Sequence, residues 1–180
     1  MRNLPICVDL DGTLIKGDVT MEAVKSYWRR DWLLNPFRLL YWLFLGRAQF
    51  KQNLAERVEL DVSRLHYHEG LLKFLLDRKK KGHKVFLVTA SNESFAGKVA
   101  DHIGIFDGVL ASNVRVNLRA KAKAEALVTI FGEKGFIYAG NSNDDLHVWR
   151  RSAGCIMMSP TNKMLKKVRG RRCIVFEWNS

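Results

Sequence analysis

The stretch Leu4-Pro5-Ile6-Cys7-Val8-Asp9-Leu10-Asp11-Gly12-Thr13-Leu14 decides how the rest of the chain is read. Its first half is a short apolar run of the kind that fills a buried strand. Its second half ends the run on two acids, two positions apart, followed at once by Gly-Thr. In extended backbone, residues two apart face the same side, so Asp9 and Asp11 repel one another. One Asp or one Gly is enough to stop a strand. Two acids on one side call for a cation between them.

From residue 82 onward the chain alternates. Residues 84–89 read as a buried strand and 91–103 as a helix, with Phe95, Val99, Ala100 and Ile103 on its apolar face. A short strand at 106–110 precedes a helix over 121–131 that Gly132 closes. Next come a strand at 135–139, a polar loop, and a helix through Leu146, His147 and Trp149. Strands at 154–158 and 173–176 enclose a basic helix from 161 to about 169. This order predicts an α/β fold: a Rossmann-like parallel sheet with helices on both faces. In such sheets ligands gather at the carboxyl ends of the strands.

Residues 17–60 break the pattern. They show no strand alternation and are rich in Trp and Leu, with interruptions at Asn35-Pro36 and Gly46. Two or three helices are expected there, forming a small helical cap inserted after the first strand. The core domain is then 1–16 plus 61–180. The apolar run at 39–45 is too short to cross a bilayer.

Composition narrows the class. The chain has 180 residues, 47% of them hydrophobic and 27% charged, enough for one domain with a real core. No signal peptide is visible, because the opening apolar run meets Asp9 within a few residues. Three cysteines, odd in number and widely spaced, argue against a disulfide framework or a zinc site and point to a cytoplasmic protein. His66 and His68 form an HxH pair without a third ligand, read as solvated. A net charge of +12 implies an anionic partner, such as phosphate groups or an anionic membrane surface. The charge is spread along the chain rather than gathered on one aromatic-laced element, so nucleic acid is not expected.

If the sheet is parallel, four features converge on one crevice. These are Asp9 and Asp11, Thr89 with Ala90 at the end of the second strand, Lys123, and the loop Gly140-Asn141-Ser142-Asn143-Asp144-Asp145. Carboxylates, a hydroxyl and an ammonium suit a divalent cation such as Mg²⁺ together with a phosphate. Arg119 and Lys121 lie close enough in sequence to compete with Lys123 for the phosphate.

The motifs DxDGT at 9–13, Thr89, Lys123 and the GNSNDD loop together resemble the haloacid dehalogenase (HAD) superfamily of phosphatases. Three further segments, 117–123, 131–140 and 145–149, look like the HAD-type domain found fused to UbiA-type prenyltransferases. The resemblance implies an Mg²⁺-dependent phosphomonoester hydrolase working through an aspartyl-phosphate. Asp9 would be the nucleophile and Asp11 the general acid, then base. Thr89, Ala90 and Lys123 would hold the phosphate; Asp9, Asp11, Asn141, Asp144 and Asp145 would hold the metal. Having an acid at position 11 points to a phosphate ester, because a halide leaving group needs no proton.

One departure matters. The superfamily writes the last loop GDxxxD, often GDxxND, whereas this chain has Asn141 first and Asp144 where Asn is usual. A neutral amide oxygen binds a hard cation more weakly than a carboxylate. Asp144 or Asp145 is expected to supply the missing charge. The alternative is a non-catalytic phosphate-binding or membrane-associated regulatory module with a weakened metal site. The Trp-rich, basic stretch at 25–51 suggests a phosphorylated amphiphile, a prenyl or lipid phosphate, and a possible prenyltransferase partner.

Overall fold

A computed structural model of the chain describes residues 3–170 and 172–178. Met1, Arg2, Arg171, Asn179 and Ser180 lie outside the described residues. Six strands form one sheet: β1 (Ile6–Val8), β2 (Val85–Asn92), β3 (Gly108–Ser112), β4 (Ile137–Gly140), β5 (Gly154–Met158) and β6 (Cys173–Phe176). Their order is β3-β2-β1-β4-β5-β6, and every neighbouring pair is parallel. This is the Rossmann-like order, in which the chain reverses direction of growth beside β1 and leaves a crevice there. Val8 pairs with Leu87 on one side and Ala139 on the other, which aligns the ends of β1, β2 and β4.

The helices are α1 (Val19–Arg30), α2 (Asn35–Phe44), α3 (Arg47–Arg57), α4 (Glu69–Lys80), α5 (Glu93–Ile103), α6 (Lys121–Phe131), α7 (Leu146–Arg151) and α8 (Asn162–Lys167). Strand alternation assigns them to two layers. Ile6 and Val8 pack with Leu71 and Leu75 of α4 and Phe95 and Val99 of α5. Cys7, turned the other way, packs with Leu127 of α6, Trp149 of α7 and Met164 of α8. Burial on both faces explains why β1 is apolar at every position.

Residues 17–60 form α1 to α3. Asp18 caps α1 by accepting from the Thr20 and Met21 amides, and Pro36 opens α2 where its missing N–H costs nothing. Val19, Ala23, Trp42 and Leu54 join the same buried cluster as Ile6 and Val8, so these helices share the core of the sheet.

Three sequence expectations change. The second strand runs on to Asn92, because Asn92 still pairs with Ser112 after a register shift, and Asn92 then caps α5 through the Ser94 amide. His68 is buried rather than solvated. Its Nδ1 accepts from the Leu71 amide at the start of α4 and its Nε2 meets the Glu177 carbonyl at 2.9 Å. Cys155 and Cys173 form a disulfide, since the β5–β6 register sets them side by side with Cα atoms 4.5 Å apart. Eighteen residues of separation hide that neighbourhood in the sequence. Cys7 is a free, buried thiol, pushed up in pKa by burial.

Candidate active site

The crevice at the carboxyl ends of β1, β2 and β4 has a volume of about 470 Å³. Asp9 follows β1 directly, held in line by the hydrogen bond its amide donates to the Ala139 carbonyl at 2.9 Å. The chain then turns tightly: Leu14 and Ile15 amides return to the Leu10 carbonyl. Gly12 makes the turn with φ of 71°, and a Cβ there would collide with Asn141 Nδ2. Glycine is therefore required both by the backbone and by the neighbour.

Lys123 Nζ donates to Asp9 Oδ1 at 2.9 Å and to the Tyr138 hydroxyl at 2.9 Å. Tyr138 passes the contact on, donating to Asp145 Oδ1 at 2.8 Å. All four residues are buried. Burial works to lower the Lys123 pKa, yet Asp9 and Asp145 outweigh it and hold the ammonium above its ordinary range. Burial pushes Asp9 up to about 7, against the pull of Lys123 and with the help of Asp145 and Asp11. Tyr138 is raised well above its usual value by burial and by the same two carboxylates, Asp145 and Asp9, so it stays a neutral donor.

Asp11 points to a different set of partners. Its Oδ1 accepts from the Val19 amide at 2.8 Å, at the positive end of α1, and its Oδ2 accepts from Ser91 Oγ at 2.5 Å. Burial raises its pKa, Asp18 adds to that, and the two hydrogen bonds oppose it. Thr89 is buried, and its Oγ1 accepts from the Ser91 amide at 3.0 Å. The Ala90 carbonyl takes a 2.8 Å hydrogen bond from Lys51 Nζ of α3.

The last loop is organised around Asp145. Its Oδ2 accepts from the Asn141 amide, the Ser142 amide and the Ser142 hydroxyl at 2.9 to 3.0 Å. Gly140 leaves room for it, since a Cβ there would lie 2.7 Å from Asp145 Cγ. Asn141 Oδ1 lies 3.4 Å from the Thr13 hydroxyl, at the edge of hydrogen bonding. Asp144 turns outward to Arg119 Nε at 2.7 Å.

All eight residues singled out from the sequence line this crevice. Lys123 alone of the candidate cations reaches Asp9, while Lys121 turns to Glu125 at 3.6 Å and Arg119 to Asp144. Ser91, Lys51, Asp18 and Tyr138 were missed. Ser91 stands two residues from Thr89 in a strand, so the spacing that joins Asp9 to Asp11 was there to find it. Tyr138 shares a strand face with Gly140 by the same rule. Lys51 and Asp18 arrive through the inserted helices and carry no local signal.

The fold and these motifs define a class. Residues 6–148 match the model of the haloacid dehalogenase-like hydrolases, and the chain belongs to that family. Uncharacterized protein y4nM of Sinorhizobium fredii (strain NBRC 101917 / NGR234) is 34% identical over 171 residues, 93% of this chain. The chain spans 32% of that relative's length. Among solved structures, a phospho-aspartyl intermediate analogue of phosphoserine phosphatase is similar with a TM-score of 0.67 at 18% identity, covering 97% of this chain and 94% of that one. A protein of unknown function from Bordetella pertussis Tohama I gives 0.69 at 16% identity, covering 94% and 97%.

Proposed function

We propose that the chain hydrolyses a phosphomonoester through an aspartyl-phosphate on Asp9. The observation that carries the reading is the buried contact between Lys123 and Asp9 at the end of β1, with Asp11 on a separate set of partners. Two carboxylates in different environments can hold different protonation states, which is what nucleophile and acid require. An Asp9 oxygen attacks phosphorus in line and the bond to the leaving oxygen breaks. Asp11 gives its proton to that oxygen, so an alcohol departs. Asp11 then takes a proton from water, which attacks phosphorus, frees the Asp9 carboxylate and releases inorganic phosphate. Lys123, Thr89 and the backbone at Ala90 offset the charge on the phosphoryl oxygens.

The donor set fits a divalent cation such as Mg²⁺. Five carboxylates and three cationic side chains line the crevice, a formal excess of two negative charges. Asp9, the Asp11 backbone carbonyl and Asn141 would hold the ion. Asp145 spends its oxygens on Tyr138, Asn141 and Ser142, and Asp144 spends one on Arg119. Their charge therefore favours the ion from a distance, in place of the direct ligation the sequence suggested. When bound, the cation draws charge from the phosphoryl oxygens.

For the organic part of the substrate we favour an amphiphile, a prenyl or lipid phosphate, because α2 presents Phe37, Tyr41 and Phe44 to solvent. A prenyl-transfer enzyme would suit that substrate as a partner. Asn141 favours the second reading, a phosphate-binding module without turnover. The test is the melting temperature with Mg²⁺ and beryllium fluoride, a mimic of phosphoryl on aspartate, since a ligand of the folded state must raise it. A rise that needs both and disappears in Asp9→Asn is expected for the enzyme. A folded protein with no rise would remove Asp9 as nucleophile.

A further inference from the structure

The inserted helices carry a surface apart from the crevice, none of whose lining residues belongs to α2. α2 reads NPFRLLYWLF, with one charge in ten residues. Its inner stripe, Asn35, Leu39 and Trp42, is buried. Its outer side is equally apolar: Phe37 is 72% exposed and Phe44 81%, and Trp32 just before the helix is 73% exposed. Leu34, Leu40 and Tyr41 widen the patch. A helix with apolar residues on its outer as well as its inner side belongs in an apolar medium, and here no described residue covers the outer side. Contiguous exposure on this scale marks an interaction site.

A basic cavity of about 650 Å³ adjoins the patch. Arg30 of α1, Arg38 of α2 and Arg57 of α3 converge on it. Arg30 donates to the Arg57 carbonyl and Arg38 to Asn35 Oδ1, so among the described residues neither meets a carboxylate. Arg57 lies over the Trp42 ring at 5.1 Å and touches exposed Glu56 at 3.4 Å. Asp31 is the one acid lining the cavity, and its Oδ1 is occupied by the Leu33 and Leu34 amides. Guanidinium groups that meet no described carboxylate, such as those of Arg30 and Arg38, are suited to phosphate oxygens.

We infer that this surface docks on an anionic lipid bilayer, with the Trp32–Phe44 patch entering the interface and Arg30, Arg38 and Arg57 receiving a lipid phosphate. Apolar aromatic side chains beside arginines are the composition of an interfacial element. A ten-residue helix is about 15 Å long, roughly half the hydrocarbon thickness, so α2 lies on the membrane and does not span it. Among the described residues no helix is long and apolar enough to cross one. A second copy of the chain is the poorer occupant. The cavity beside the patch sets three arginines against one acid, Asp31, and pairing that surface with itself would set like charges face to face.

The inference goes beyond the phosphatase reading and does not rest on it. The test is sedimentation with phosphatidylcholine vesicles, with and without phosphatidylglycerol. Wild type is expected to pellet with the anionic vesicles and to be released by salt. Phe37→Ser/Phe44→Ser should weaken partitioning by roughly tenfold or more, and Arg30→Gln/Arg38→Gln should abolish most of the preference for anionic lipid. Both pairs are surface positions; an unchanged melting temperature shows that the fold is kept. A blue shift of tryptophan emission on binding, reduced in Trp32→Phe, reports entry of the patch. Asp9→Asn should bind vesicles like wild type, so loss of catalysis and loss of docking are separable. Wild type left in the supernatant, or both double variants binding undiminished, overturns the inference. So does a lipid-free dimer that Phe37→Ser/Phe44→Ser makes monomeric.

Discussion

The Lys123 ammonium stands 2.9 Å from Asp9 Oδ1, and both side chains are nearly sealed from water. Removing one member of such a pair is costlier than the pair is worth, because a charge is left buried alone. Lys123→Met should therefore lose about 3 kcal/mol of stability at pH 8. At pH 5 the loss should shrink, since Asp9 can then take a proton. Urea unfolding at the two pH values measures both. Turnover of a phosphomonoester should fall on the order of a hundredfold or more.

Asp9 also sets a pH slope in the metal-free protein. Its pKa is raised from 3.8 to about 7, burial being the main cause. Between those values the folded protein holds a proton that the unfolded chain has released. Stability should then fall as pH rises from about 4 to 7 and level off above. Asp107 acts in the opposite sense, held low despite burial by the Val85 amide and Lys79. The difference between wild type and Asp9→Asn isolates the Asp9 contribution, and melting in a chelator across this range measures it. An equal slope in the two proteins would contradict the raised pKa.

Asn141→Asp should raise Mg²⁺ affinity by about tenfold, because a carboxylate is a better ligand than an amide for this ion. Calorimetric titration of both proteins measures the change. Equal affinities would show that position 141 is not a ligand.

Tyr138 accepts from Lys123 and donates to Asp145. Tyr138→Phe leaves both short of a buried hydrogen bond and should cost about 2 kcal/mol in urea unfolding. Asp145 also fixes the Asn141 and Ser142 amides, so catalysis should fall through a looser loop, with kcat affected more than KM.

The sheet was legible because β1 is buried on both faces and so apolar at every position, and because helix-length segments separate the later strands. The site was legible where an apolar run ends on two acids, Asp9 and Asp11, although a tight turn and not an extended strand face brings Asp11 into the crevice. It was less legible where the partner comes from elsewhere in the chain. Nothing near residue 51 says that Lys51 will bond the Ala90 carbonyl. Nothing near Cys155 announces Cys173, since register is a property of two strands at once. Asp145 looked like a metal ligand because sequence shows its charge but not the three donors on one of its oxygens. His68 looked solvated for a related reason: the backbone groups it bonds are invisible in a string of residue types.

α3 holds Lys51 against the rim of the crevice and Arg57 against Trp42. Six residues of helix separate them, about 9 Å of stiff backbone. A single rod thus reaches the crevice with one residue and the underside of the outer helix with another. A tilt of α2 would press on Arg57 through Trp42, and the same helix carries the Lys51 contact to the Ala90 carbonyl. On the readings proposed above, the rate on a small water-soluble phosphate would then report what α2 rests upon, by way of one helix.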